Sequence, residues 1–324
     1  MRRQSQPCRH GIDRASRAHK GAIIEEDGEL DALTDMAPAA GVEAQVSPLV
    51  RRVVAPNPSP FTYTGTCSYL VGGSELAIVD PGPLDEAHVA ALVEAVGGAR
   101  VGHIFVTHTH RDHAPAAARL RALTGAPIVG AAPFRASPGA SQGLDAAHDL
   151  AYRPDRVLED GEVVAGASYT MQCVATPGHA ANHLAFALKQ ENALFSGDHV
   201  MAWSTTVVAP PDGSMADYRA SLEKLRLRGE SVYWPGHGGP VAEPQRYVRH
   251  LANHRRQREA SILARLEAGE ETVPQIVANI YLGLDPKLRG AAGLSTLAHL
   301  QDLVARGLVA FSGPFGIAAK FRRA

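Results

Sequence analysis

His108-Thr109-His110-Arg111-Asp112-His113 sets four side chains of metal-ligand type within six residues. One residue separates it from Ile104-Phe105-Val106, an apolar run with the β-branched and aromatic content of a buried strand. Imidazole and carboxylate are the donors that suit zinc, manganese or ferrous iron. A tight turn after a strand lets neighbouring donors aim at two different ions. The plain alternative is a solvated histidine-rich loop, and three later stretches weigh against it. They are Thr176-Pro177-Gly178-His179, Ser196-Gly197-Asp198-His199 and Pro235-Gly236-His237-Gly238. Each sets a donor beside glycine, where the backbone can turn sharply. Any one of them is common in ordinary loops; in this order, after the first cluster, they form a constellation.

Outward from the cluster, strands alternate with helices. Residues 67–71 and 76–79 flank Gly72-Gly73 as a hairpin and exit through Asp80-Pro81-Gly82. Val89, Leu92, Val93 and Val96 have helical spacing within 85–97. A helix over 115–123, a strand at Ile128-Val129 and a Gly/Pro/Ser loop over 133–143 follow. Further strands are predicted at 162–165, 169–175, 184–188, 193–196 and 231–234, with a helix over 215–228. This is the pattern of a layered α/β domain. Beyond it, Val248, Leu251, Ile262, Leu263 and Leu266 mark a long helix. Shorter helices fit 273–281 and 293–305, and a terminal hairpin fits residues 308–321. Three helices and a two-stranded wing suggest a winged-helix module.

The domain expectation is therefore threefold. Residues 1–46 form a leading extension, disordered or foreign to the native protein; 47–245 form the catalytic domain; 246–324 form a winged-helix-like cap. Residues 1–20 carry six bases and one acid, and residues 21–50 carry seven acids and no base. Blocks of that kind stay solvated. A basic nucleic-acid arm and a true start at Met36 are the two other readings of this segment.

Composition narrows the function classes. With 45% hydrophobic and 20% charged residues, the chain of 324 residues is an ordinary globular protein of one large or two modest domains. A formal net charge of -1 argues against a surface devoted to clamping phosphate backbone. Cys8, Cys67 and Cys173 are too few and scattered for a disulfide framework. No apolar run approaches the ~20 residues of a membrane helix, and Met1-Arg2-Arg3 leads into no hydrophobic signal core. The expectation is a cytoplasmic protein without membrane attachment.

At the level of these motifs the chain resembles the metallo-β-lactamase-fold superfamily over roughly residues 50–245. The stretches 197–206 and 210–218, with the winged-helix tail, resemble its lactamase-beta-2-like branch. The resemblance implies an αββα sandwich of the α/β class, followed by a small winged-helix-like C-terminal domain. It implies two divalent metal ions, zinc first, with manganese or iron as alternatives. His108, His110 and His179 would hold one ion; Asp112, His113 and His237 the other; Asp198 would bridge them. Asp112 and Asp198 are the catalytic candidates, Asp198 orienting the nucleophile. Asp80 would hold the outer N–H of a ligand imidazole. His183, His199 and Tyr63 are candidates for substrate contact or ligand support, against plain structural roles. His250 and His254, four apart on an Arg-rich helix, read as a solvated or interdomain face, and His103 as structural.

Two such ions sharing a water would lower its pKa from ~15.7 towards 7 and so supply a bridging hydroxide. The implied activity is hydrolysis of an ester, thioester or related acyl bond in a small molecule. The alternatives are phosphodiester or single-stranded RNA cleavage, iron-dependent oxidoreduction, and DNA regulation through the winged helix. An aromatic content of 6% and near-neutral charge weaken the RNA reading. Residues 251–324, with ten bases and six acids, are too mildly basic to favour the DNA reading. Association of two copies is left open. Removing the tail is expected to harm substrate binding or solubility more than metal binding, since all seven proposed ligands precede it.

Overall fold

The computed structural model describes residues 39–135 and 147–324. Residues 1–38, with Met36 and most of the leading extension, lie outside the described residues, as does 136–146 of the Gly/Pro/Ser loop. One sheet runs in the order β1 (Ala44–Ser47), β2 (Val50–Val54), β3 (Cys67–Gly72), β4 (Glu75–Val79), β5 (Arg100–Val106), β6 (Ile128–Gly130), β7 (Arg156–Val157). The second runs β12 (Val232–Pro235), β11 (Ala193–Gly197), β10 (Leu184–Leu188), β9 (Thr170–Ala175), β8 (Val163–Ala165). Three parallel pairs, β4 with β5, β5 with β6 and β11 with β12, are each joined through a helix. These are α1 (Glu86–Val96), α2 (Ala116–Thr124) and α3 (Met215–Arg226), supplying the crossovers that parallel pairing requires.

Strand periodicity builds the layers. In β3 and β4, Tyr69, Val71, Ala77 and Val79 point between the sheets, where Phe105, Phe186, Phe195 and Trp234 meet them. The alternate residues Leu70, Leu76, Ile78 and Ile104 point outward, onto Val89 and Leu92 of α1 and Leu120 of α2. Because both faces are covered, these strands read as continuous apolar runs. On the other side, Ala185, Leu194 and Tyr233 pack against Tyr218, Leu222 and Leu225 of α3. The result is the αββα sandwich. The chain enters each helix with a defined cap: the Asp85 carboxylate accepts the His88 N–H at 2.8 Å, and Ser214 accepts from Asp217.

Two expectations are corrected here. The leading extension does not run to residue 46: Ala44 pairs with Arg52 and Gln45 with Arg51, so this stretch is the edge strand of the first sheet. Nor is residue 246 a boundary in space. It falls inside α4 (Pro244–Glu267), a single helix of 24 residues. Tyr247, Val248 and Leu251 of α4 belong to the core under the second sheet. Ile262 and Leu266, further along the same helix, belong to the core of the tail. There they meet α5 (Val273–Ile280), α6 (Arg289–Ala305) and the wing of β13 (Val309–Ser312) and β14 (Lys320–Arg323).

Candidate metal centre

Strand ends from both sheets converge at one edge of the sandwich. Asp80 leaves β4, His108 to His113 leave β5, His179 follows β9, Asp198 follows β11 and His237 follows β12. Backbone bonds tie the sheets together at this edge: Leu184 N–H donates to the Thr107 carbonyl at 2.8 Å and Cys67 N–H to the Gly236 carbonyl at 2.7 Å.

The predicted ligands fall into two donor groups, each with ligand atoms within 4.8 Å of one another: His108, His110 and His179, and beside them Asp112, His113, Asp198 and His237; His110, His148 and Asp212 make a third such group. In the first, the His108 Nε2 and the His179 Nε2 each stand 3.0 Å from the His110 Nδ1. In the second, the His237 Nε2 lies 3.2 Å from Asp112 and 3.4 Å from Asp198. The His113 Nε2 lies 3.5 Å from Asp112 and 3.4 Å from Asp198. Asp198 also reaches towards the first group, 3.6 Å from the His179 Nε2.

The outer ring nitrogens settle which atoms face inward. A carbonyl only accepts, so His179 Nδ1 donates to the Val207 carbonyl at 2.7 Å and His237 Nδ1 to the Gly65 carbonyl at 3.2 Å. His113 Nδ1 meets the Asp80 carboxylate at 2.9 Å. The Thr107 hydroxyl donates to the same carboxylate at 2.8 Å and is left to accept from the His108 Nδ1 at 2.9 Å. Rings so held turn the Nε2 atoms of His108 and His179 onto the Nδ1 of His110, and those of His113 and His237 onto the carboxylates of Asp112 and Asp198. Within this cluster His113 Nε2 and Asp198 Oδ1 are buried with no hydrogen-bond partner. The donor set of imidazole and carboxylate fits two divalent ions.

Electrostatics separates the two groups. Burial first, then the neighbouring rings of His113 and His110, pushes His108 well below the ordinary imidazole range. His110 falls to about 3 through burial and the adjoining His179 and His148. Burial opposes the charging of His113 and His237 too, but carboxylates override it. Asp112, Asp198 and Asp80 hold His113 well above its usual value, and Asp198 with Asp112 lifts His237 to about 10. Protonation is thus favoured in the second group and disfavoured in the first. Metal entering the second group has more protons to displace, so its apparent affinity should rise more steeply with pH, by about tenfold per unit for each proton released. Chelator-competition titrations at about pH 6 and pH 8 should find one steep and one shallow class; equal slopes would contradict this assignment.

The other sequence candidates divide. His183 supports the site: its Nε2 accepts the Asp198 N–H at 3.1 Å and its Nδ1 meets Thr176 at 2.8 Å. His199 is buried with neither ring nitrogen hydrogen-bonded, its ring 4.5 Å from that of Tyr218. It is not among the residues that line the cavity in front of the site. Tyr63 stacks on Trp203 at 5.2 Å, and it is Phe61, Thr62 and Trp203 that line the cavity. His103 bonds the Tyr169 hydroxyl at 2.7 Å, away from the site. His254 lines the cavity.

Sequence reasoning missed Thr107, the carbonyls of Gly65 and Val207, and the pair His148 and Asp212. His148 stands 3.2 Å from Asp212 and stacks on Phe134 beside His110. Gly236 has a steric role: a Cβ there would come within 2.5 Å of Asp198 Oδ1 and 2.6 Å of the His113 ring. Gly236→Ala should therefore cost at least one equivalent of metal with only a modest fall in melting temperature. Full metal content in that variant, by mass spectrometry, would show that the loop yields instead.

The metallo-beta-lactamase superfamily model matches residues 62–237, and the beta-lactamase associated winged helix domain matches residues 272–316. The beta-lactamase-like protein 2 homolog of Caenorhabditis elegans is 30% identical over 274 residues, covering 82% of this chain and 87% of that protein. An atrochrysone carboxyl ACP thioesterase of Paecilomyces divaricatus is 33% identical over 226 residues, covering 68% of this chain and 65% of that protein. In structure, a beta-lactamase domain protein from Burkholderia ambifaria superposes with a TM-score of 0.76 at 23% identity, covering 90% of this chain and 96% of that one. That last likeness is one of fold.

Proposed function

The chain belongs to the metallo-beta-lactamase superfamily, and from that premise we propose that its metal-dependent hydrolysis falls on an acyl bond, of the thioester or ester kind. The observation that carries this reading is the cavity of about 770 Å³ in front of the site. It is walled by Phe61, Met201, Trp203 and Val207 on one side and by Leu284 and Leu288 of the tail on the other. A recess of that size with largely apolar walls suits a small acyl substrate better than a strand tracked along an open basic groove. The thioesterase named among the relatives points the same way.

In this reading His108, His110 and His179 hold one ion, Asp112, His113 and His237 the other, and Asp198 lies between them. Zinc suits five imidazoles and two carboxylates best. Bound there, the ions would polarise the substrate carbonyl and acidify a water enough for attack at neutral pH. The chain's own part is positioning. Asp80 fixes His113 directly and His108 through Thr107, while His183 and Thr206 hold the backbone of Asp198. The apolar walls exclude bulk water from the acyl chain. The test is a panel of thioesters, lactones, generic phosphodiesters and RNA, offered to protein reconstituted with zinc, manganese or iron. Thioester hydrolysis should dominate in kcat/KM; faster cleavage of RNA or phosphodiester would overturn the acyl reading.

A further inference from the structure

We propose that Arg255 and Arg258 form an oxyanion subsite in the wall of the cavity in front of the metal centre, selecting acyl substrates that carry a carboxylate or phosphate away from the scissile bond. The proposal rests on the acyl-hydrolase reading for the chemistry, but its geometry stands separately. Both arginines lie on α4, three residues apart on one face, and both line the cavity that Asp112, Asp198 and His237 also line.

Arg255 is 3% exposed, yet neither it nor Arg258 has a carboxylate within ion-pair range among the described residues. The nearby acids serve other partners. Glu259 and Asp302 are both engaged by Arg219 and Arg306. What Arg255 and Arg258 do have is neutral. Arg255 donates to the Thr206 carbonyl and lies over the Tyr218 ring at 4.9 Å. Arg258 lies over the Tyr281 ring at 4.0 Å and reaches the Ile280 carbonyl at 3.4 Å. The Nε of each is buried without a hydrogen-bond partner, as is Nδ1 of His254 beside them. Aromatic faces and carbonyls hold the two guanidinium planes in place but leave their charge without a counter-ion. A charge kept in a recess in this way is costly unless a ligand supplies the opposite sign, and a guanidinium fork matches a carboxylate or phosphate.

The test uses the full-length, metal-loaded protein and matched thioesters. One pair differs only in a terminal carboxylate on the acyl chain, the other only in a phosphate at the end of the thiol arm. At least one anionic member should exceed its neutral match in kcat/KM by about tenfold or more. Arg258→Gln should reduce that ratio to within about twofold, and Arg255→Lys, which keeps charge but loses the fork, should reduce it part-way. Whichever pair shows the preference identifies carboxylate or phosphate as the group recognised. Calorimetric binding of the corresponding unreactive thioethers to wild type and Arg258→Gln gives the same ratio without turnover. If no thioester is hydrolysed, the acyl reading fails and the binding ratio alone decides the subsite. Equal values for charged and neutral members in wild type, or a preference that survives Arg258→Gln in a folded protein, would overturn the proposal.

Discussion

Asp198→Asn should lower kcat by about a thousandfold or more and leave the protein short of metal. The substitution is nearly isosteric, so what it removes is charge. In the native protein burial disfavours the Asp198 carboxylate, yet His237 and His113 hold its pKa well below the ordinary range. Its carboxylate reaches both donor groups, 3.4 Å from His237 and 3.6 Å from His179. Losing a shared anionic ligand forfeits several kcal/mol of charge stabilisation, and about 1.4 kcal/mol is a factor of ten in rate. The fold should survive, because Asp198 stands on a loop beyond β11 and contributes to none of the apolar cores. Metal analysis beside steady-state kinetics checks both parts. Wild-type turnover with full metal content would remove Asp198 from the centre.

Deleting residues 246–324 should abolish soluble expression altogether. From sequence, removing the tail is expected to damage substrate binding or solubility more than metal binding, because every proposed ligand precedes it; the structure puts the weight on solubility. Tyr247, Val248 and Leu251 are buried in the core beneath the second sheet. At roughly 1.5–3 kcal/mol each, their loss approaches the whole stability of about 5–15 kcal/mol that a domain possesses. The deletion also removes two ties to the loop after Asp198: the Tyr247 hydroxyl donates to the Met201 carbonyl at 2.7 Å, and Arg255 donates to the Thr206 carbonyl. Thr206 in turn donates to the Asp198 carbonyl at 2.7 Å. A soluble, monomeric fragment that binds its full complement of metal would show that the first half of α4 is replaceable.

How much of this was legible in the sequence depended on where each signal resides. The strand ends bearing His179, Asp198 and His237 were readable because a donor beside glycine is itself a local pattern, and His108 because it opens a dense run of donors just after an apolar strand. Asp80 was visible as a carboxylate at a strand exit, and its role followed from the family resemblance. The Gly65 and Val207 carbonyls carry no side-chain signature at all, so nothing could have marked them. Thr107 could have been found, since it sits between the strand and the first ligand. His199 misled because it follows Asp198 directly, whereas its ring packs on Tyr218 instead. The edge strand at Ala44–Ser47 contains one large apolar residue, Val46, too little for periodicity to detect. Arg255 and Arg258 lie far along the chain from the ligands, and only α4 brings them to the same cavity.

The continuity of α4 has a consequence for anyone who would exchange tails between relatives. A flexible linker tolerates a junction that is a residue too long or too short. A helix does not: each inserted residue turns everything beyond it by about 100° and advances it by about 1.5 Å. One extra residue between Leu251 and Arg255 would keep Tyr247, Val248 and Leu251 in the core beneath the second sheet but turn Ala298 of α6 out of it. It would also swing the part of the cavity wall that carries Arg255 and Arg258 relative to the metal centre. Chimaeras should therefore be spliced with the length of α4 unchanged, since a phase-preserving insertion of seven residues would still move the tail about 10 Å along the helix axis. The length of this helix acts as a gauge, setting at which angle the second module faces the first.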